Sequence, residues 1–263
     1  MNCELITSSK NPKVRRLLDL QQKSAIRRES GLFVVEGRRE LRHCMEAGFE
    51  IDTLFVCPDL YFGELPSASH CFEVSPEVYA RVAYRGTTEG IIGEVRTRSL
   101  RLSDLRLSEH PLIVVLESVE KPGNLGAVLR SADAAQVDAV VICDPLTDLF
   151  NPNLIRSSLG ALFTVPTIVC DSAECIEFLH KNGIKILTAQ LQDSHLYYDT
   201  DMCVGTAIVM GTESTGLTDQ WRKAADAHIR IPMLGRLDSL NVSVSAAILM
   251  FEAVRQRSAI VRE

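Results

Sequence analysis

The stretch LIVVLESVEKPGNLGAVLRSADA, residues 112–134, sets two structural patterns end to end. Residues 112–118 are a short run rich in Val, Leu and Ile with no polar alternation, which suits a strand covered on both faces in a parallel sheet. Pro122 and Gly123 then make a turn, Asn124 stands where it can cap a helix, and the residues after it follow helical spacing. Strand, glycine-rich turn and helix in that order open a wound α/β domain, whose ligands gather in loops beyond the carboxyl ends of the strands. Gly126 precedes Arg130 by one helical turn, so the two share a face and the absent side chain leaves space for a ligand beside the guanidinium. Two plainer readings stand beside that one. In them Gly126 only allows close helix packing, and Arg130 pairs with a surface carboxylate.

Outward from this stretch the same pattern recurs. DAVVICD (138–144), VPTIVC (165–170), IKILTAQ (184–190) and GTAIVMG (205–211) read as further buried parallel strands, and SAECIEFLHKNG (172–183) and LTDQWRKAADA (217–227) as helices between them. Upstream, NPKVRRLLDLQQ (11–22) and RRELRHCMEAG (38–48) read as helices, and GLFVVEG (31–37) and DTLFVCP (52–58) as strands, which together predict a small α/β/α domain. Between the two regions RTRSLRLSDLRLSEHP (96–111) alternates polar and apolar residues and ends in proline, a linker signature. The chain is therefore divided into residues 1–105 and 106–263.

Composition narrows the class. The 263 residues are 46% hydrophobic and 24% charged, the balance of a soluble globular protein, and no apolar run is long enough for a membrane span. The N-terminus MNCELITSSKNPK lacks a signal peptide's apolar centre, so the expected location is the cytoplasm. Eight cysteines and six histidines are scattered without ligand spacing, so neither a metal site nor a disulfide framework is expected; cysteines in runs such as AVVIC read as small core residues. Net charge is −6, yet Lys10 to Arg42 holds ten basic residues against four acidic ones. Such a local surplus can attract a polyanion, and it can equally be a helix face laced with ion pairs.

Two further loops carry polar groups. VMGTESTGLTD (209–219) leaves a buried strand through Gly211 and Gly216 with Glu213 between them, where exposed backbone and a carboxylate can meet a ligand. RIPMLGRLDSLNVSVSAAILMFEAVRQR (230–257) places Ser239 and Asn241 around Leu240 just before a helix, where Asn241 also suits a plain N-cap.

NLGAVLRSA (124–132), VMGTESTGL (209–217) and IPMLGRLDSLNVSVSAAI (231–248) resemble, in order, the three motifs of the SpoU family, RNA ribose 2′-O-methyltransferases of the SPOUT trefoil-knot class. The likeness continues through NPNLIRSSLGALFTVP (151–166), while SSKNPKVRRLL (8–18) and GLFVVEGRRE (31–40) resemble the family's accessory RNA-binding domain, which is similar to a ribosomal-protein fold. The departures are Thr212 and Ser214, where the family often has Asn and Gly, and Gln136, where a Gly commonly follows the first motif. The resemblance implies an α/β fold: a C-terminal SPOUT trefoil-knot domain with a parallel sheet, preceded by a small α/β/α RNA-binding domain. It implies methyl transfer from S-adenosylmethionine to a ribose 2′-hydroxyl, with Arg130, Asn124, Glu213, Ser239 and Asn241 around the ribose. The cofactor would meet Ala189, Leu191, Gly211, Ile231, Met233 and Leu240. It also implies a homodimer through the knotted domain and an RNA partner, with ribosomal RNA preferred over transfer RNA. Two rivals stand against it: a noncatalytic RNA-binding or ribosome-assembly protein of the same fold, and a dinucleotide-dependent oxidoreductase. The incomplete G-x-G-x-x-G disfavours the oxidoreductase.

Overall fold

The computed structural model describes residues 3–84, 89–212 and 214–260. The chain forms two compact units, one of residues 1–98 and 148–164, the other of 99–147 and 165–263.

In the first unit Asn11 caps α1 (Pro12–Gln22), its side chain accepting from the Lys13 amide at 2.8 Å, and α1 buries Val14, Leu17 and Leu20. α2 (Ser24–Ser30) ends at Gly31, whose φ of 64° is the left-handed conformation a helix terminus favours. The sheet is mixed, in the order β1 (Glu4–Ile6), β4 (His70–Val74), β3 (Ile51–Val56), β5 (Ile91–Arg96) and β2 (Leu32–Glu36), with α3 (Arg38–Glu46) and α4 (Pro76–Val82) completing this part of the chain. The two predicted helices and two predicted strands are present. β1, β4, β5 and α4 were not anticipated, because their short runs carry Glu, His or Gly that obscure the apolar signal.

Residues 148–164, which include α6 (Pro152–Ser158) and α7 (Ala161–Thr164), pack within this unit through named contacts. Phe33 stacks on Phe150 with ring centroids 4.3 Å apart. Arg27, buried to 3% exposure, bonds Asp148 at 2.5 Å and donates to the Leu20 carbonyl at 2.6 Å. Several of the ten basic residues are thus paired with carboxylates. Arg16 pairs with the buried Glu94, Lys23 with Asp19, Arg39 with Glu40 and Arg42 with Glu46. Burial pushes the Glu94 carboxyl above the ordinary carboxylate range even though the Arg16 guanidinium opposes that shift.

One cysteine expectation is corrected. Cys3 and Cys71 form a disulfide, because parallel pairing of Glu4 with Phe72 brings the residues just before them side by side. No sequence spacing announces a bond made by strand register.

The second unit is built on seven parallel strands in the order β10 (His195–Leu196), β12 (Ala227–Arg230), β9 (Lys185–Ala189), β11 (Thr206–Met210), β6 (Leu112–Glu117), β7 (Ala139–Cys143) and β8 (Thr167–Cys170). All five strands read from the sequence are there; β6, β7 and β11 are buried throughout and β9 at its centre, while β8, at the sheet's edge, exposes Val169; β10 and β12 are too short and polar to read. The helices are α5 (Pro122–Ala134), α8 (Ser172–Lys181), α9 (Asp219–Ala224) and α10 (Val242–Ile260). Trp221 of α9 is fully buried and donates to Ser172 at 2.9 Å. After β12 the chain returns through residues 231–241 to lay α10 on α5, β11 and β6, back across the sheet. Arg257 fixes the far end of α10 by donating to the carbonyls of Met202, His110, Pro111 and Val204, at 2.7 to 3.2 Å. Burial holds that guanidinium below its ordinary range. Among the described residues no helix is long and apolar enough to cross a membrane.

Replacing Arg27 by alanine strips Asp148 and two backbone carbonyls of their partner in a buried setting. The expected loss is about 3 kcal/mol, the lower range for breaking a buried pair. Urea unfolding that shows Arg27→Ala within about 0.5 kcal/mol of the parent contradicts this account of how residues 148–164 are held.

Candidate active site

The parallel pairing of β6 with β11 matches Leu116 with Met210, so the loops that follow the two strands leave the sheet side by side. Val119, Glu120, Lys121 and Asn124 from the first loop line a cleft with Gly211, Thr212 and Ser214 from the second and Val242 from the start of α10. Its volume is about 130 Å³. A site for a whole drug-sized ligand has roughly 300–1,000 Å³, so this cleft holds part of one.

The helix that follows the first loop begins at Pro122, one turn earlier than the capping role of Asn124 requires. Asn124 therefore lies in the first turn, and its side-chain oxygen accepts from the Asn241 amide nitrogen at 3.2 Å. Asn241 does act as an N-cap: its own side-chain oxygen accepts from the Ser243 amide at 3.0 Å and hydroxyl at 2.6 Å, and its carbonyl takes the Ser245 amide. The plain and the functional readings of Asn241 both hold, since the cap leaves its nitrogen pointing at Asn124.

Gly126 is buried on α5, the helix that packs against α10. Arg130 is exposed and makes no ion pair or hydrogen bond with any described residue, which removes the surface-pair reading. It does not touch Asn124, six residues and about 9 Å of helix rise away. Ser239 is exposed and bonds Asp238 at 3.2 Å. Glu213 lies outside the described residues.

The second loop is closed on itself. Thr212 and Gly216 exchange backbone hydrogen bonds of 3.3 and 3.1 Å, and the Thr212 hydroxyl accepts from the Thr215 amide at 3.0 Å. A Cβ at Gly211 would fall 2.2 Å from the Gly216 carbonyl oxygen, so any side chain there collides with the loop's own backbone. Sequence reasoning missed Glu117, the buried last residue of β6. Its carboxylate accepts from the Thr218 amide at 2.9 Å and hydroxyl at 2.7 Å, pinning the second loop to the strand beside it. A charged residue closing an otherwise apolar strand was the available signal. The remaining cofactor candidates lie at neighbouring ends: Ala189 closes β9, Leu191 follows it, and Ile231, Met233 and Leu240 follow β12, whose Ile229 pairs with Ala189.

A returning chain tucked across the carboxyl ends of a parallel sheet, with three loops converging there, defines a knotted methyltransferase of the SPOUT class. The chain belongs to the SpoU rRNA methylase family, whose model matches residues 111–251; residues 11–93 match an MRM3-like substrate-binding domain. It is 27% identical over 247 residues to the 23S rRNA (guanosine(2553)-2′-O)-methyltransferase RlmP of Bacillus subtilis, covering 94% of this chain and 97% of that one. It is 39% identical over 176 residues to the 23S rRNA (guanosine-2′-O-)-methyltransferase RlmB of Escherichia coli K12, covering 65% and 72%. An S-adenosylmethionine-bound rRNA methyltransferase from Sinorhizobium meliloti superposes with a TM-score of 0.86 at 28% identity, covering 96% of this chain and 98% of the other. The chain is an S-adenosylmethionine-dependent RNA ribose 2′-O-methyltransferase of the ribosomal-RNA class.

Gly211→Ala is expected to displace the 211–218 loop and weaken S-adenosylmethionine binding at least tenfold with the sheet intact. Unchanged affinity by calorimetry, with native circular dichroism, contradicts the placement of the cofactor against this loop.

Proposed function

We propose that the chain methylates a guanosine 2′-hydroxyl in the large-subunit ribosomal RNA, acting in the cytoplasm as a homodimer, with residues 1–105 binding the RNA and 106–263 carrying the chemistry. The observation that carries the reading is the Asn241–Asn124 hydrogen bond, which ties the first and third motifs together beside a cleft lined by the second. The guanosine and the large subunit rest on the names of the relatives. Transfer RNA is the second reading, and the presence of a separate substrate-binding region favours the ribosomal one.

The residues present suit the cofactor. Ala189, Leu191, Ile231, Met233 and Leu240 offer partly exposed apolar surface at adjoining strand ends, fitted to an adenine ring and a thioether chain, with Gly211 admitting close backbone approach. The bound cofactor supplies a methyl group on a cationic sulfur, already electrophilic. The protein's share is to place the ribose oxygen and ease the loss of its proton. Arg130 suits a clamp on the target phosphate, since its planar fork binds phosphate bidentately and its positive charge stabilises the developing alkoxide. A guanidinium is too weak an acid to act as the base. Asn124 and Asn241 hold the ribose side of the cleft, with Ser239 and Glu213 completing the polar shell.

Support for the dimer comes from apolar surface on the second unit. Leu234 is 97% exposed, and Leu240, Val244 and Phe251 are spaced to share one face at and along α10. Support for RNA binding comes from the first unit, where Arg38, Arg39 and Arg42 share a shallow concavity with Tyr61 and Phe62. Phe62 is 88% exposed, which suits stacking on an unpaired base.

Three outcomes follow. Arg130→Lys is expected to keep the fold and cofactor affinity while single-turnover methylation falls about a hundredfold to a thousandfold; a near-parental rate rules out the clamp. Phe251→Glu is expected to sediment as a monomer where the parent is a dimer, and a parent that is already monomeric refutes the dimer. Phe62→Ala is expected to cost about 1–3 kcal/mol of RNA affinity with cofactor affinity unchanged, the worth of one stacked base; undiminished RNA affinity removes Phe62 from the interface.

A further inference from the structure

Cys143 closes β7 and Cys170 closes β8, and the parallel register sets the two directly opposite one another. Side chains at partnered positions of parallel strands leave the sheet on the same face. Asp171 then caps α8, its side chain accepting from the Glu174 amide at 2.8 Å, which turns the chain back so that Cys175 of the first helical turn faces the strand ends. The three sulfur atoms lie within 4.8 Å of one another, while Cys143 and Cys175 are fully buried and Cys170 is half-buried. Among the described residues no other His, Cys, Asp or Glu ligand atoms gather in a group of three at this separation.

The structure assigns to Cys143, Cys170 and Cys175 a binding site for a thiophilic divalent d10 cation, of which Zn²⁺ is the representative. Three facts carry the assignment. In a tetrahedral thiolate site with metal–sulfur bonds near 2.3 Å, sulfur atoms stand about 3.8 Å apart, so the present triangle needs only a small contraction. The donors are all sulfur, a set that selects soft metals over Mg²⁺ or Ca²⁺. Charge separates the soft candidates: three thiolates around a divalent ion leave one negative charge, whereas a monovalent ion leaves two, a poorer fit to a partly buried site. Three protons leave the thiols for solvent as the metal enters, and no oxidation takes place. The fourth coordination position falls to water on the side of the half-buried Cys170. A bound ion would tie β7, β8 and α8 together through a site that the spacing of 26 and four intervening residues does not advertise.

The test uses the full chain, fully reduced and stripped with a chelator, then titrated with Zn²⁺ against a chromophoric competitor and separately with Co²⁺. One equivalent is expected per chain, with a sulfur-to-cobalt charge-transfer band and tetrahedral d–d absorption. Loss of an outer-sphere partner already costs 10- to 100-fold in metal affinity, so Cys170→Ser, which removes a ligand, is expected to weaken Zn²⁺ at least about a hundredfold. Cys203→Ser, outside both the cluster and the disulfide, is expected to leave Zn²⁺ affinity unchanged. Zn²⁺ is also expected to raise the melting temperature of the parent and not of Cys170→Ser, a readout independent of methylation. No stoichiometric uptake, a cobalt spectrum without thiolate charge transfer, or uptake that survives Cys170→Ser each overturns the assignment.

Discussion

The structure depends on the parallel, in-register pairing of β6 with β11. Both strands are buried along their whole length, and their shared register runs from Leu112 and Thr206 to Leu116 and Met210. Parallel strands that end at the same height must release their chains at the same place, so the 118–121 and 211–218 loops become neighbours through backbone hydrogen bonding alone. Glu117 then converts proximity into fixed geometry. Buried and charged, it is tolerable there because the Thr218 amide and hydroxyl both donate to it, and that requirement holds the second loop in one position.

The third segment is located differently. Residues 231–241 are exposed or half-buried and have little packing of their own, so their path is set by the two elements they join. β12 lies beyond β9 in the sheet, and α10 lies on α5, β11 and β6. Arg257 anchors one end of α10 to four carbonyls and Asn241 caps the other, so the returning segment is stretched between fixed points. A loop held by its ends can present apolar groups such as Leu234 to a partner without a local core to bury them.

The legible part of the fold was the part whose physics is local. Five strands announced themselves because their apolar runs lack polar alternation, four of them from the covered interior of the sheet and β8 from its edge, and α1, α3, α8 and α9 followed from spacing and punctuation. What stayed hidden depended on partners distant in sequence: β12 pairs through three residues with β9, β1 is held by three residues against β4, and Cys3 meets Cys71 only because of that register. The site divides the same way. The three motifs were visible as strings, but that Gly126 is buried while the loop after Gly211 leaves no room for a side chain could not be told from two glycines alike in sequence. Gln136 shows the converse. Its φ of 51° is a conformation that favours glycine, which gives a physical reason for the glycine common there in the family.

The basic residues show why charge read along a sequence misleads about function. Of the surplus between Lys10 and Arg42, the buried Arg27 is spent on the half-buried Asp148, Arg16 on the buried Glu94, and Lys23 on a carboxylate one helical turn away. Surface pairs like the last contribute little to stability, yet they lower the positive potential that a polyanion meets. Arg130 is the opposite case. It sits on α5, which packs against α10, and among the described residues no carboxylate pairs with it. An unpaired cation on a rigid support loses little to desolvation and reorganisation when an anion arrives, whereas a paired one must first give up its partner. Whether a cation is free to meet an anion is therefore set by its three-dimensional neighbours, which charge counted along the chain does not show.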